Sequence, residues 1–161
     1  MNTIVIIGTG WYGLHIYLVL KQRYKNIKIV ILEKNSDIFD NSSNFNQNRL
    51  HLGYHYPRSY STRQLCKYNY NKFINKYRPL IDFIDNNFYC ISNESLIDYN
   101  TYLQIFKDDS MYDHTIIDND FILNIEGNFI NTKEKIINSK KVKSFFNKKI
   151  SKENIKLNYN V

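Results

Sequence analysis

Six residues near the N-terminus have the types and spacing to hold a phosphate group: Gly8-Thr9-Gly10-Trp11-Tyr12-Gly13, a GxGxxG pattern. Gly8 permits a tight turn, and Gly10 lets backbone N–H groups approach a pyrophosphate with no Cβ in the way. Gly13 lets a following helix lie close to the strand before it. The first turn of that helix offers N–H groups without intrahelical acceptors, together with the positive end of the helix dipole. Glu33 stands 20 positions after Gly13, where a carboxylate accepts hydrogen bonds from ribose hydroxyls and disfavours a 2′-phosphate. Trp11, Tyr12 and Lys34 border these groups and belong to the same candidate site. The chemistry is recognition of an adenine dinucleotide. Its rival is a strand-to-helix turn that holds no ligand, because glycine-rich turns are common.

These residues act together only if the chain around them builds a strand, a turn, a helix and a second strand. Thr3 to Ile7 is a short β-branched run, broken by Gly8 to Gly13. Leu14, Tyr17, Leu18 and Leu20 then recur at helical spacing up to about Tyr24, and Ile27 to Leu32 is a second β-branched run ending on Glu33. This order predicts the βαβ unit of a parallel sheet.

At 161 residues the chain suffices for one ordinary domain or slightly more, and two complete catalytic domains do not fit. Its apolar fraction of 43% and aromatic fraction of 16% supply a core, which excludes disorder throughout, collagen and mucin-like chains. Ile4 to Ile7 and Ile16 to Leu20 are too short to span a bilayer and lack the form of a signal peptide, so a cytoplasmic, intracellular location is expected. Cys66 and Cys90 form no CxxC, and His51 and His55 have no further Cys or His close by in sequence. Neither a disulfide framework nor a metal site is expected. The formal charge of +7 raises the question of a nucleic-acid partner. However, 23 Asn, 23 Ile, 17 Lys against 5 Arg, and no Ala are what an AT-rich genome writes. Lys140, Lys141, Lys143, Lys148 and Lys149 read as the solvated face of one helix, and no nucleic-acid partner is expected.

Further along, the polar run Asn41 to Asn48, broken only by Phe45, reads as a loop. Tyr60 to about Arg78 predicts a helix with Leu65, Tyr68, Phe73 and Tyr77 inward and Pro79 near its end. Phe88 to Ser92 predicts a strand and Glu94 to Phe106 a helix. Phe121 to Ile125 and Asn128 to Ile130 predict a hairpin turning at Glu126 and Gly127. Asn131 with Glu134 three residues later predicts a helix start, continued by Ile136, Ile137, Val142, Phe145 and Phe146 to about Lys149. The alternation Ile155, Leu157, Tyr159, Val161 predicts a last strand.

FAD and NAD share the glycine fingerprint. An NAD-type domain calls for another crossover helix and strand soon after Glu33. This chain instead runs through a polar loop into Asn48-Arg49-Leu50-His51-Leu52-Gly53-Tyr54-His55-Tyr56-Pro57-Arg58-Ser59 and then a helix. On these residues the sequence resembles the D-amino-acid-oxidase-like superfamily of FAD-dependent oxidoreductases, which includes glycine and sarcosine oxidases and the 2-hydroxyglutarate and glycerol-3-phosphate dehydrogenases. His51-Leu52-Gly53 corresponds to the H-x-G element that passes the flavin in that superfamily. Tyr56-Pro57 and the Cys66-bearing helix are similar to its hydroxyacid-oxidising branch. The resemblance covers about residues 3 to 78 by specific motifs and is weaker beyond.

The resemblance implies an α/β, Rossmann-like FAD-binding fold with FAD as cofactor. Its ADP half would lie at Gly8, Gly10, Trp11, Tyr12, Gly13, Glu33 and Lys34, and its isoalloxazine over Asn48, Arg49, Leu50, His51 and Gly53. Arg49 is the first candidate to neutralise pyrophosphate or a substrate carboxylate, with Arg58 second; the alternative for each is a surface ion pair. His51 is the candidate catalytic group beside the flavin, against the alternative of a histidine satisfied by a backbone carbonyl. Tyr54, Tyr56 and Tyr60 read as core packing and Cys66 as a buried thiol.

Superfamily members are much longer, so this chain reads as truncated. Residues 1–87 correspond to the N-terminal part of the FAD-binding domain, 88–130 to the beginning of an α+β substrate domain, and 131–161 to the helix and strand that return to the first. The implied function is oxidation of an amino or hydroxy acid by hydride transfer to flavin, with a companion chain expected to supply the missing half. The alternative is a catalytically inactive dinucleotide-binding or partner-binding module.

Overall fold

The computed structural model describes residues 2–107, 112–117 and 126–160. In chain order the elements are β1 (Thr3–Ile7), α1 (Trp11–Arg23), β2 (Lys28–Leu32), β3 (Arg49–Leu50), α2 (Tyr60–Tyr77), β4 (Ile81–Asp82), β5 (Phe88–Ser92), α3 (Tyr99–Lys107), β6 (His114–Ile117), β7 (Gly127–Thr132), β8 (Lys135–Ile137), α4 (Ser139–Lys149) and β9 (Ile155–Lys156). They form two units, residues 1–48 with 137–161, and residues 49–136.

The first unit is built on a parallel sheet ordered β1-β2-β9. The β-branched runs pair in register, Ile4 with Ile29 and Ile6 with Ile31. Ile29 and Ile31 are buried, as are Leu14 and Tyr17 of α1. Val5 and Ile7, whose side chains alternate to the other face, remain 53% and 69% exposed, although parallel sheets are ordinarily covered on both faces. The expected last strand pairs parallel to β2, Ile31 with Ile155 and Leu32 with Lys156, but it spans two residues. It stops because Asn158 adopts a positive φ of 56° and the Tyr159 N–H turns to the Glu33 carbonyl. Asn154, buried beside β9, donates to the Tyr17 hydroxyl. α4 packs through Val142 and Phe146, and Lys143 bridges Asp37 and Asp40 at 3.0 and 3.2 Å, which removes it from the solvated lysine face expected there.

The second unit holds an antiparallel sheet ordered β5-β7-β6 and a small sheet ordered β3-β8-β4. Its core is aromatic: Tyr54 lies 5.0–5.5 Å, ring to ring, from Tyr89, Phe106 and Tyr112. α2 matches its expected span, but Leu65 and Tyr68 point outward while Lys67, Tyr70 and Tyr77 point in. A helix rich in Asn and Tyr carries no clear apolar stripe, and Lys67 reaches the interior by laying its ammonium over the Tyr112 ring at 4.4 Å. α3 starts at Tyr99 rather than at Glu94, because Asp98 caps it through the Thr101 N–H and hydroxyl.

The largest departure is at residues 131–138. Asn131 does not open a helix: β7 runs through Thr132, and the Asn131 amide bonds the Asn87 N–H and the Asp85 carbonyl. Glu134 is 1% exposed, and α4 begins only after Asn138, whose Oδ1 accepts the Lys141 N–H. Gly127 is a strand residue rather than a turn residue. A Cβ there would stand 2.6 Å from the Ile91 carbonyl oxygen. The strand expected over Phe121 to Ile125 lies outside the described residues. No described helix is long and apolar enough to cross a membrane.

Gly13 is the sharpest steric requirement in the first unit, since a Cβ there would stand 2.1 Å from the Gly8 carbonyl oxygen. Gly13→Ala is expected to destabilise the chain by about 1–3 kcal/mol in urea unfolding, the cost of overpacking. Asn138→Ala is expected to cost about 1 kcal/mol in the same measurement, the loss of an N-cap.

Candidate functional site

The turn between β1 and α1 is held from behind by Glu33. Gly8 adopts φ +92° and donates to the Leu32 carbonyl at 2.7 Å, a left-handed conformation that glycine takes without strain. The buried Thr9 donates both its N–H, at 2.7 Å, and its hydroxyl to Glu33 Oε2; the Asn35 N–H donates to Oε1 at 3.0 Å. Glu33 is 4% exposed. Burial by itself raises a carboxyl pKa, but the hydrogen bonds from Thr9 and Asn35 outweigh it and hold this one below the usual carboxylate range.

A cavity of about 300 Å³ opens in front of this turn, lined by Gly8, Gly10, Glu33, Lys34, Asn41 and Tyr159 among others. At the start of α1 the Trp11 N–H donates to Ser43 Oγ at 3.0 Å, and Gly10 is the N-cap with no side-chain cap. The N–H groups of Tyr12 and Gly13 find no acceptor among the described residues. The Trp11 indole meets the rings of Phe39 and Phe146 edge-on, each at 5.9 Å, whereas the Tyr12 side chain is 81% exposed. Neither of these rings enters the glycine turn, and the side-chain atom beside it is Ser43 Oγ, 3.1 Å from where a Cβ on Gly10 would stand. Free N–H donors at a helix start, a glycine where a side chain would intrude, and an ordered carboxylate fit an adenine dinucleotide. Asn48, at φ +51°, turns the chain, and its carbonyl accepts the Ile137 N–H.

Arg49, Leu50, His51 and Gly53 belong to the second unit, where they surround Glu134. Glu134 Oε1 accepts the Leu52 N–H at 2.6 Å, and Oε2 accepts the Tyr89 hydroxyl at 2.7 Å. Arg49 Nε lies 3.8 Å from Oε2, and the guanidinium sits 4.4 Å above the Tyr89 ring. Leu50 is a core residue. Gly53 adopts φ +115°. His51 Nδ1 is buried with no hydrogen-bond partner among the described residues, and the His51 ring lies 5.4 Å from that of His55. Burial lowers the His51 pKa against the opposing pull of Glu134, with His55 and Arg49 lowering it further. Arg58 lines a separate cavity of about 270 Å³ with Tyr54, His55, Tyr89 and Tyr102.

Sequence reasoning missed Thr9, Ser43 and Glu134. Thr9 is a variable position of the fingerprint. Ser43 sits in a polar run of near-identical residues, and Glu134 carried only a misleading capping pattern.

No protein-family model matches the chain. Over 147 residues it is 29% identical to the FAD-dependent monooxygenase FPY4 of Fusarium mangiferae, covering 90% of this chain and 39% of that protein. Over 76 residues, 47% of this chain, it is 40% identical to the FAD-dependent monooxygenase kojA of Aspergillus flavus and to the probable FAD-dependent monooxygenase kojA of Aspergillus oryzae, covering 17% of each. The chain thus spans less than half the length of these relatives.

Because the folded chain depresses the Glu33 pKa below its ordinary 4.5, its contribution to stability is present above that value and disappears as pH falls through the lower folded-state value. The difference in urea midpoint between the native chain and Glu33→Gln is expected to be largest near neutral pH and to shrink below pH 4.5.

Proposed function

We propose that this chain is the FAD-binding part of an FAD-dependent oxidoreductase with a Rossmann-like first unit. The observation that carries the reading is the glycine turn at the start of α1, whose Tyr12 and Gly13 N–H groups find no acceptor among the described residues, braced by the buried Glu33 and facing a cavity of about 300 Å³. The similarity to one FAD-dependent monooxygenase over 90% of the chain, and to two more over 47%, supports FAD as the cofactor.

In this reading the N–H groups of Tyr12 and Gly13 and the Ser43 hydroxyl receive the pyrophosphate, and no Cβ at Gly10 obstructs its approach. Glu33 Oε2 already accepts both the Thr9 N–H and the Thr9 hydroxyl, whereas Oε1 accepts the Asn35 N–H and keeps a lone pair that receives a ribose hydroxyl. The second unit carries Arg49, paired with Glu134, and His51, whose Nδ1 has no hydrogen-bond partner among the described residues. Bound FAD supplies two-electron redox chemistry; the protein supplies binding, orientation and electrostatics. The substrate of the whole enzyme belongs to the same proposal. Oxidation of an amino or hydroxy acid rests on the His51-Leu52-Gly53 element, and monooxygenation on the names of the relatives.

The purified chain is expected to bind FAD, with visible flavin absorbance that dithionite bleaches and that NADH does not displace. Glu33→Gln is expected to weaken FAD binding by about tenfold or more, the effect of losing charge-assisted hydrogen bonds. A colourless chain that gains no flavin from excess FAD would overturn the reading.

A further inference from the structure

Among the described residues Glu134 is the most completely enclosed charge of the second unit, and nothing in the dinucleotide reading uses it. Its side chain is wholly inaccessible. A carboxylate out of water is tolerated only where donors replace its hydration. Here the donors are the Leu52 N–H at 2.6 Å and the Tyr89 hydroxyl at 2.7 Å, and the Arg49 guanidinium adds an ion pair at 3.8 Å. Leu52 is 82 residues away in sequence, so the contact is tertiary. Backbone pairing adds to it, since Arg49 and Leu50 form β3 against Ile136 and Lys135. Tyr89 holds the guanidinium on its ring face while its hydroxyl holds the carboxylate. The segment that carries both candidate catalytic side chains, Arg49 and His51, is thereby fixed at its strand, at the Leu52 amide and at the guanidinium.

We propose that Glu134 is a positioning residue: it clamps the Arg49–Gly53 segment through Leu52 and Arg49 and sets its negative charge against the His51 ring. Three groups act electrostatically on that ring: Glu134 from the β7–β8 connection, Arg49 from its own strand and His55 from the following loop. Glu134 favours the imidazolium; Arg49 and His55 disfavour it. With no hydrogen-bond partner for Nδ1 among the described residues, protonation is left to this balance and to burial. The identity of the group that His51 serves rests on the FAD reading, whereas the clamp itself does not.

The test is an NMR titration of the histidines in the full chain without added FAD. In Glu134→Gln, which keeps the shape and an acceptor for the Leu52 N–H, the His51 midpoint is expected to fall by about half a pH unit or more. In Arg49→Met it is expected to rise. A Glu134 that served stability alone would lower the unfolding temperature and leave the His51 midpoint unmoved in both variants, which would overturn the proposal. If Glu134→Gln does not fold, Arg49→Met decides, and an unchanged or lower midpoint there sinks it. Failure to bind FAD in a separate titration bears on the cofactor reading alone.

Discussion

A buried carboxylate must find donors or the fold pays several kcal/mol per ion, and in the first unit that requirement shapes everything around the glycine turn. Glu33 finds its donors in Thr9 and Asn35. This joins the end of β2 to the turn after β1. The Glu33 backbone extends the tie, with its N–H on the Lys156 carbonyl and its carbonyl on the Tyr159 N–H, so the returning strand docks on the same residue. Because the carboxylate satisfies Thr9 from behind and Ser43 Oγ takes the Trp11 N–H, it is the Tyr12 and Gly13 amides of α1 that keep their donors for an anion.

The second unit meets the same constraint with different materials. Its interior is built from tyrosines, whose hydroxyls need acceptors once buried. Tyr54 donates to the Asp113 carbonyl, Tyr102 to the Tyr54 carbonyl and Tyr89 to Glu134. Burial first, and the nearby Glu134 charge second, push the hydroxyl pKa values of Tyr54, Tyr89 and Tyr102 well above the ordinary phenol value. These rings therefore stay protonated as donors, and an acidic residue can sit among them. A core of aliphatic residues would have offered Glu134 only Leu52 and Arg49.

Local patterns were legible where one residue type has one physical meaning. The β-branched runs at Thr3–Ile7 and Lys28–Leu32, the glycine at position 13 that only a close helix–strand approach requires, and the span of α2 all follow from short-range chemistry. Legibility failed where a local pattern had two uses. Asn131 with Glu134 reads as a helix start, yet the same side chains bond across the sheet and into the core. Leu65 and Tyr68 read as inward, but no apolar stripe set the rotation of α2, and contacts with Tyr112 and its neighbours did. Capped by Asp98, α3 starts at Tyr99, five residues after the expected start at Glu94, because hydrophobicity marks a helix body better than its end.

By itself the sequence determined a parallel βαβ unit with a glycine turn fit for a phosphate and a carboxylate placed at the end of β2, since these depend on glycine geometry and residue order. Only the tertiary structure decided that Glu33 braces the turn through Thr9, that Ser43 stands at the start of α1, and that Glu134 grips the chain around Arg49 and His51. Each of those contacts joins residues 24 to 82 positions apart. No short-range rule reaches that far: hydrogen-bond partners of a buried charge are chosen by what the folded chain brings within three ångströms, roughly the length of one such bond.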